Sequence, residues 1–554
     1  MEWWKERVVY QIYPRSFLDT NEDGIGDIKG IIQKLDYLTE LGVGILWLSP
    51  VYASPNKDNG YDISDYYSIH HEFGTMEDME LLIKEAGNRD IKIIMDLVIN
   101  HTSTEHEWFL KSRDKNSPYR DYYIWRKGKG NGKLPNNWTS FFGENCWEYD
   151  ELSDEYYLHL FAKEQADLNF DNPAVIEEIK NIMTFWLDKG IAGFRCDVIN
   201  VIYKSSLEDG KKKLALTGSE FYISKEGTHN ILKQLRKDVL SHYDCFTVGE
   251  TVFVTPSMGK DLCDKSREEL DMIFSFEHME IDQYFVKWFP RKFSSKRFIK
   301  TIIKWQEAIE WNALYFENHD QPRSIHRFIN DTRYHQVAGK MLATLLLSLK
   351  GTPFIYQGQE IGMTNFDYES LDDIMDVESK NVYALAKKLH IPNCYIEKMI
   401  RKASRDNART PMQWENRVYG GFSKNKPWLK ENQNYRQINV DSQIKDKESI
   451  LNYYKEMIKV RKESLPLVEG EFQLIAIEKH LFIYDRVTKQ EVNRIYINFC
   501  GKDHSINTVD GEVIIGNYKK NGDRILGNKT LILQPYEALI IKLYKNNKKQ
   551  DNVI

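Results

Sequence analysis

Eight short runs rich in β-branched and aromatic residues, separated by longer segments of helical periodicity, limit what this chain can fold into more than any other feature. They cover residues 8–13, 45–49, 92–98, 192–197, 246–250, 272–276, 313–318 and 353–357. Between the first two, Ile28, Ile31, Ile32, Leu35, Leu38 and Leu41 fall on one helical face. Before the fourth, Asn172 can cap a helix and Pro173 suits its first position. Val175, Ile176, Ile179, Ile182, Met183, Trp186 and Leu187 then line one stripe, and Gly190 ends it. Strands alternating with helices imply a parallel sheet of the α/β class, and eight such units imply a (β/α)8 TIM barrel. With 554 residues, 42% of them apolar, the chain can bury such a barrel and carry further modules.

Two stretches break the rhythm. After the third run, residues 102–170 include KGKGNGKLPNN and several aromatics, too much for a simple loop, and read as an inserted subdomain. From residue 470 short alternating strands replace the helical period (FQLIAIE, HLFIYDRV, EVNRIYINFC, ALIIKLY), so 470–554 reads as a C-terminal all-β sandwich. The barrel is then built from 1–101 and 171–469.

The start, MEWWKERVVYQIYP, lacks the charged-then-apolar pattern of a signal peptide, and no run of about 18 apolar residues could span a membrane. Six scattered cysteines without a CxxC pair suit a reducing, cytoplasmic setting. A net charge of −6 and only short basic runs (211–213, 545–549) argue against nucleic acid as a partner. The expectation is a monomer acting on a small molecule, with no membrane or nucleic-acid partner.

Catalytic groups of such barrels sit at the C-terminal ends of strands. Here His101 follows the third strand, Arg195 and Asp197 end the fourth, Glu250 ends the fifth, and His319 and Asp320 follow the seventh; Asp96 lies within its strand as an anchor. Three acids converging on one mouth suit glycoside cleavage, in which a carboxylate nucleophile and a protonated partner stand about 5–5.5 Å apart in retaining enzymes. Adjacent strands can supply that spacing for Asp197 and Glu250. Arg195, two residues before Asp197, points to the same side and can keep it ionised. Val248 and Gly249 offer Glu250 little hydration, so its pKa should rise towards that of a general acid. Asp320 is left to hold hydroxyls and stabilise the oxocarbenium-like transition state.

At these residues the chain resembles glycoside hydrolase family 13, the α-amylase family. The motifs, in order, are DLVINHTS (96–103), QADLNF (165–170), GFRCDVIN (193–200), TVGET (247–251), FENHDQPR (316–323), GTPFIYQGQE (351–360) and RDNARTPMQW (405–414). The set is most similar to the oligo-1,6-glucosidase and isomaltase branch. Gln359 and Ala166 depart from residues common in relatives. The resemblance implies that Asp197 is the nucleophile, Glu250 the acid/base and Asp320 the transition-state stabiliser, with no cofactor for catalysis. It implies that His101, Arg195 and His319 bind hydroxyls of the cleaved glucose. Asp58 and Tyr61 would hold its non-reducing end, Asp58 pairing with Arg409 and Tyr61 stacking on the ring. Phe142, Phe161 and Gln165 would line the same pocket. The implied activity is exo-acting hydrolysis of α-1,6 bonds of short oligosaccharides such as isomaltose and panose, with α-1,4 bonds as a second linkage, and release of α-glucose.

Linkage preference rests on Val198, since in this branch Val after the nucleophile accompanies α-1,6 activity and Ala or Thr accompanies α-1,4; barrel packing alone is the alternative. Asp19, Asn21, Asp23, the Ile25 carbonyl and Asp27 match a calcium loop with Gly24 at its sixth position, although Gly30 stands where an EF-hand has Glu. A structural Ca2+ is expected there. Relatives also hydrolyse trehalose 6-phosphate or sucrose, or isomerise sucrose. QPRSIHRF after the NHD motif carries Arg323 and Arg327 without the alternating Asp of the isomerases, which favours hydrolysis. A non-catalytic sugar-binding barrel, the remaining alternative, would have lost acids that this chain keeps.

Overall fold

A computed structural model describes residues 2–143, 145–213, 215–329, 331–519 and 521–544; the basic run at 545–549 lies outside the described residues. All eight runs become barrel strands: β1 Val9–Ile12, β2 Ile45–Leu48, β3 Lys92–Leu97, β4 Gly193–Cys196, β5 Phe246–Glu250, β6 Met272–Phe274, β7 Asn312–Leu314 and β8 Gly351–Tyr356. They pair in parallel in the order β6-β5-β4-β3-β2-β1-β8-β7. β6 and β7 pack side by side to close the barrel, and Phe274 meets Tyr315 edge to face at 5.1 Å. Strand residues such as Val9, Ile45, Phe194 and Val248 are fully buried, as expected where helices cover the outside of a barrel.

The helix Pro173–Asp188 forms as its stripe predicts. Asn172 accepts a hydrogen bond from the Ala174 amide, Pro173 opens the helix, and the seven stripe residues are its buried face. The stripe after β1 belongs to two helices, Ile28–Gln33 and Leu35–Leu41, because Lys34 leaves helical geometry (φ −105°, ψ 7°). The apolar face still runs through both.

After β3 the chain leaves the barrel. His101–Ser103 pairs antiparallel with Gln165–Asp167, and Trp125–Arg126, Glu155–Leu158 and Trp147–Asp150 form a small sheet. This insertion rests on the loop after β4, where Trp138 stacks on Phe221 at 5.9 Å and donates to the Glu208 carbonyl. The last helix before the terminal module is Leu465–Glu469. Beyond it Glu471–Glu478, Leu481–Val487, Val492–Asn498 and Ala538–Leu543 carry the four alternating runs in a six-stranded sheet. Two buried arginines line the junction, and one of them, Arg486, ties that module to the barrel. Arg461 donates to the carbonyls of Leu347, Gly351 and Leu467, and Arg486 to those of Ser348 and Gly470. They satisfy the carbonyl end of the helix His335–Ser348, where a cation is favoured.

Candidate active site

Parallel register sets the geometry of the mouth. Arg195 lies level with Asp96 on β3 and Val248 on β5, and Cys196 lies level with Gly249, so Asp197 and Glu250 emerge side by side. β4 can approach β5 this closely because it begins at Gly193, where a Cβ would stand 1.9 Å from the Phe246 carbonyl oxygen. Both acids grip one buried guanidinium: Arg195 Nη1 is 2.6 Å from Asp197 Oδ1, and Nη2 is 2.8 Å from Glu250 Oε2. Arg195 also pairs with Asp96, which accepts from Trp47 Nε1 at 2.9 Å.

Three carboxylates therefore share one cation. Burial pushes the Asp96 carboxyl up to about 6 against the pull of Arg195. Burial, with the neighbouring charges of Glu250 and Asp96, pushes Asp197 well above the usual carboxylate range. The expectation that Arg195 keeps Asp197 ionised is corrected accordingly. One guanidinium cannot balance three buried negative charges, so the proton belongs to the cluster as a whole.

Asp320 stands apart electrostatically. Its carboxylate is 2.7 Å from Arg409, 3.7 Å from Arg405 and 3.4 Å from His319 Nε2. Burial works to raise its pKa, but His319, Arg405 and Arg409 outweigh that and hold it far below the usual range, ionised at any working pH. The His319 ring lies nearly parallel to those of Tyr61 (5.2 Å) and Tyr13 (6.0 Å). Its Nδ1 is 2.8 Å from Gln11 Nε2 and its Nε2 is 2.7 Å from the Tyr61 hydroxyl, and burial pushes it down to about 3, so it is neutral.

One expected pairing is wrong. Asp58 binds Arg405 at 3.0 Å, whereas Arg409 binds Asp320 and donates to the His319 carbonyl. Arg405 is the hub of this side, held also by Asp376 at 2.7 Å and lying 5.5 Å from the Phe142 ring centre. Gln165 donates to the Tyr61 carbonyl at 3.2 Å and approaches Asp58 at 3.4 Å. Phe161 stacks on Phe141 at 4.7 Å and meets His101 at 5.2 Å. All thirteen residues expected at the catalytic and sugar-binding positions thus lie in one connected set. Arg405, Asp376, Tyr13 and Gln11 join them without having been foreseen. Only Gln11 left a signal, as a lone polar residue in an apolar strand.

Val198 adopts φ 37° and ψ 38°, a left-handed conformation rare for a β-branched residue and costing roughly 1–3 kcal/mol. That turn aims its amide at Glu250 Oε2, 3.2 Å away, while its side chain belongs to the buried apolar cluster that also holds Trp138, Trp147 and Tyr222. The Asp19–Asp27 loop lies elsewhere. Asp19 accepts from the amides of Glu22 and Gly24 and from Ser423 Oγ, and Asp27 caps the following helix through the Gly30 amide. Among the described residues, no three His, Cys, Asp or Glu side chains converge on a metal-sized point.

Paired acids beside an ionised carboxylate can cleave and reform an acetal. The chain is 49% identical to an oligo-1,6-glucosidase of Parageobacillus thermoglucosidasius, over 98% of this chain and 99% of that one. A Bacillus licheniformis trehalose-6-phosphate hydrolase superposes with a TM-score of 0.92 at 42% identity, covering 98% of this chain and 100% of that one. The isomaltulose synthase of Klebsiella sp. LX3 does so with a TM-score of 0.94 at 39% identity, covering 98% and 99%. A family model described as the catalytic domain of alpha amylase matches residues 11–470, and the chain belongs to that family.

Proposed function

We propose that the protein is a retaining, exo-acting α-glucosidase that hydrolyses α-1,6 bonds of short oligosaccharides such as isomaltose and panose, and α-1,4 bonds less readily. The observation that carries this reading is the pair of carboxylates, Asp197 and Glu250, on the two arms of one guanidinium. That closeness suits a retaining mechanism better than the wide, water-holding gap of inverting enzymes. Asp197 attacks the anomeric carbon as Glu250 gives the cluster's proton to the glycosidic oxygen, so the C–O bond breaks and a glucosyl ester forms. Glu250 then takes a proton from water, which displaces Asp197 and releases α-glucose. Asp320, ionised throughout, stabilises positive charge at the ring. The buried Asp58–Arg405 pair, Gln165 and Phe142 wall off the non-reducing end and make the site a pocket.

A substrate panel of isomaltose, panose, maltose, sucrose, trehalose and trehalose 6-phosphate, followed by NMR, tests the reading. Isomaltose and panose should turn over fastest, with α-glucose appearing first; early β-glucose would sink the mechanism. The cations on the neighbouring rim are already matched, Lys287 with Glu378 at 2.6 Å and Arg327 with Asp282 at 2.5 Å, which disfavours a phosphosugar. Arg323 is buried against Glu317 and the Gln357 carbonyl, so its charge is already matched, which favours hydrolysis over isomerisation.

Val198→Ala should raise maltose turnover relative to isomaltose several-fold, because it removes bulk one residue beyond the nucleophile. An unchanged ratio in competition assays would discard the linkage argument. The reading extends to a monomer and to a cytoplasmic setting, the latter supported by six free cysteines, two of them buried. It also includes a structural Ca2+ held by Asp19, Asn21, Asp23, Asp27 and the Ile25 carbonyl, an all-oxygen set of the hardness calcium prefers. Chelation should lower the thermal midpoint by several degrees and calcium should restore it; a midpoint indifferent to both would remove the ion.

A further inference from the structure

The wall of the pocket continues outwards as a row of aromatic rings. Phe161, 5.2 Å from His101, stacks on Phe141 at 4.7 Å with the two planes 7° apart. Phe141 in turn stacks on Phe253 at 6.4 Å and 24°. Phe141 and Phe161 pack against the buried cluster that holds Val198, so the row lies on the side of the mouth where the linkage residue stands. Its steps are comparable to the length of a sugar unit, and its outer member is the most exposed of the three.

Phe253 is a poor choice for stability. It stands on the loop after β5, three residues beyond Glu250, at φ 56°, a left-handed conformation that bulky residues rarely adopt. Glycine would take that conformation without strain. Burial does not offset the strain, since the residue is 49% exposed. The backbone just before it is nonetheless fixed. Asn200, fully buried, accepts from the Val252 amide at 3.0 Å and donates to the Val252 carbonyl at 2.9 Å. Thr251 Oγ1 donates to the Phe274 carbonyl at 2.9 Å. A strained residue persists where its surroundings over-determine it, and such residues gather at ligand clamps. An open flat ring, aligned with two others at the mouth of a sugar pocket, offers its face to the C–H side of a pyranose. The three rings carry no charge, which suits a neutral sugar.

We infer that Phe253 is a specificity-determining residue, the outer platform on which the sugars beyond the cleaved bond stack. This role rests on the proposed α-glucosidase reading and adds to it the surface that receives the leaving group.

Phe253→Gly and Phe253→Tyr test it in the full-length protein. Panose, with two sugars beyond the cleaved bond, is set against α-glucosyl fluoride, which has none. In Phe253→Gly, kcat/KM for panose should fall about tenfold, through KM rather than kcat, and that for the fluoride by less than about twofold. Phe253→Tyr keeps the flat ring and should keep panose turnover close to that of the parent. The glycine variant should also melt no lower than the parent, because it sheds a strained, half-exposed residue. Unchanged kcat/KM for panose in Phe253→Gly overturns the platform. Equal losses on panose and the fluoride, with a lower melting temperature, overturn it too, since the ring would then be a packing element of the loop. A parent that turns over neither substrate would refute the α-glucosidase reading, and the platform with it.

Discussion

Asp197→Asn should lose at least about 10^4-fold in kcat on 4-nitrophenyl α-glucoside while melting no lower than the parent. The amide cannot form the glucosyl ester, and even an activated leaving group does not help when no nucleophile receives the sugar. Stability should hold because Asn keeps the shape and its oxygen still accepts from Arg195, now 2.6 Å from Asp197. The substitution also removes one of three buried acids that crowd a single guanidinium, which relieves repulsion in the folded state. A shorter variant, Asp197→Gly, opens the vacated face to azide, which should attack there and yield the β-glucosyl azide. Activity of Asp197→Asn near that of the parent would strip Asp197 of its role. A large fall in melting temperature would mean that the acid is structural.

Much of this arrangement was legible because the physics is local. A barrel strand is a short apolar run between amphipathic helices, and all eight were readable for that reason. The positions of Asp197 and Glu250 follow from being the last residues of neighbouring strands. The error at Asp58 has an equally physical origin. Arg405 and Arg409 are four residues apart, one turn around the short helix Asp406–Arg409, so both point to the same side and spacing cannot say which meets Asp58. Only the approach of the loop carrying Asp58 decides it. Asp376 caps a helix, accepting from the Glu378 and Ser379 amides, and nothing in the sequence links it to an arginine 29 residues on. The strained backbone of Val198 was invisible because valine is the last residue a left-handed turn would suggest. The sharing of one cation by three acids was missed because Asp96 read as an anchor rather than as a charge.

Glu250→Gln should separate the two chemical steps. On isomaltose the leaving group is a sugar alkoxide, which cannot depart without a proton, so kcat/KM should fall about 10^2–10^4-fold. 4-Nitrophenol is acidic enough to leave unaided, so kcat/KM on the aryl glucoside should fall far less. The second step then lacks its base on either substrate. The glucosyl ester should accumulate, seen as a burst of nitrophenol followed by slow turnover and a lowered KM. Azide needs no deprotonation and should attack the ester from the face that water uses, restoring turnover and giving the α-glucosyl azide. Gln keeps an oxygen for the Val198 amide, so the left-handed turn beyond the nucleophile should survive. Equal losses on both substrates with no burst would mean that Glu250 does not handle the leaving-group proton. The proton of the Arg195 cluster would then reach the glycosidic oxygen by another route, with Asp96, deeper in the barrel and pushed up to about 6, the next acid to substitute.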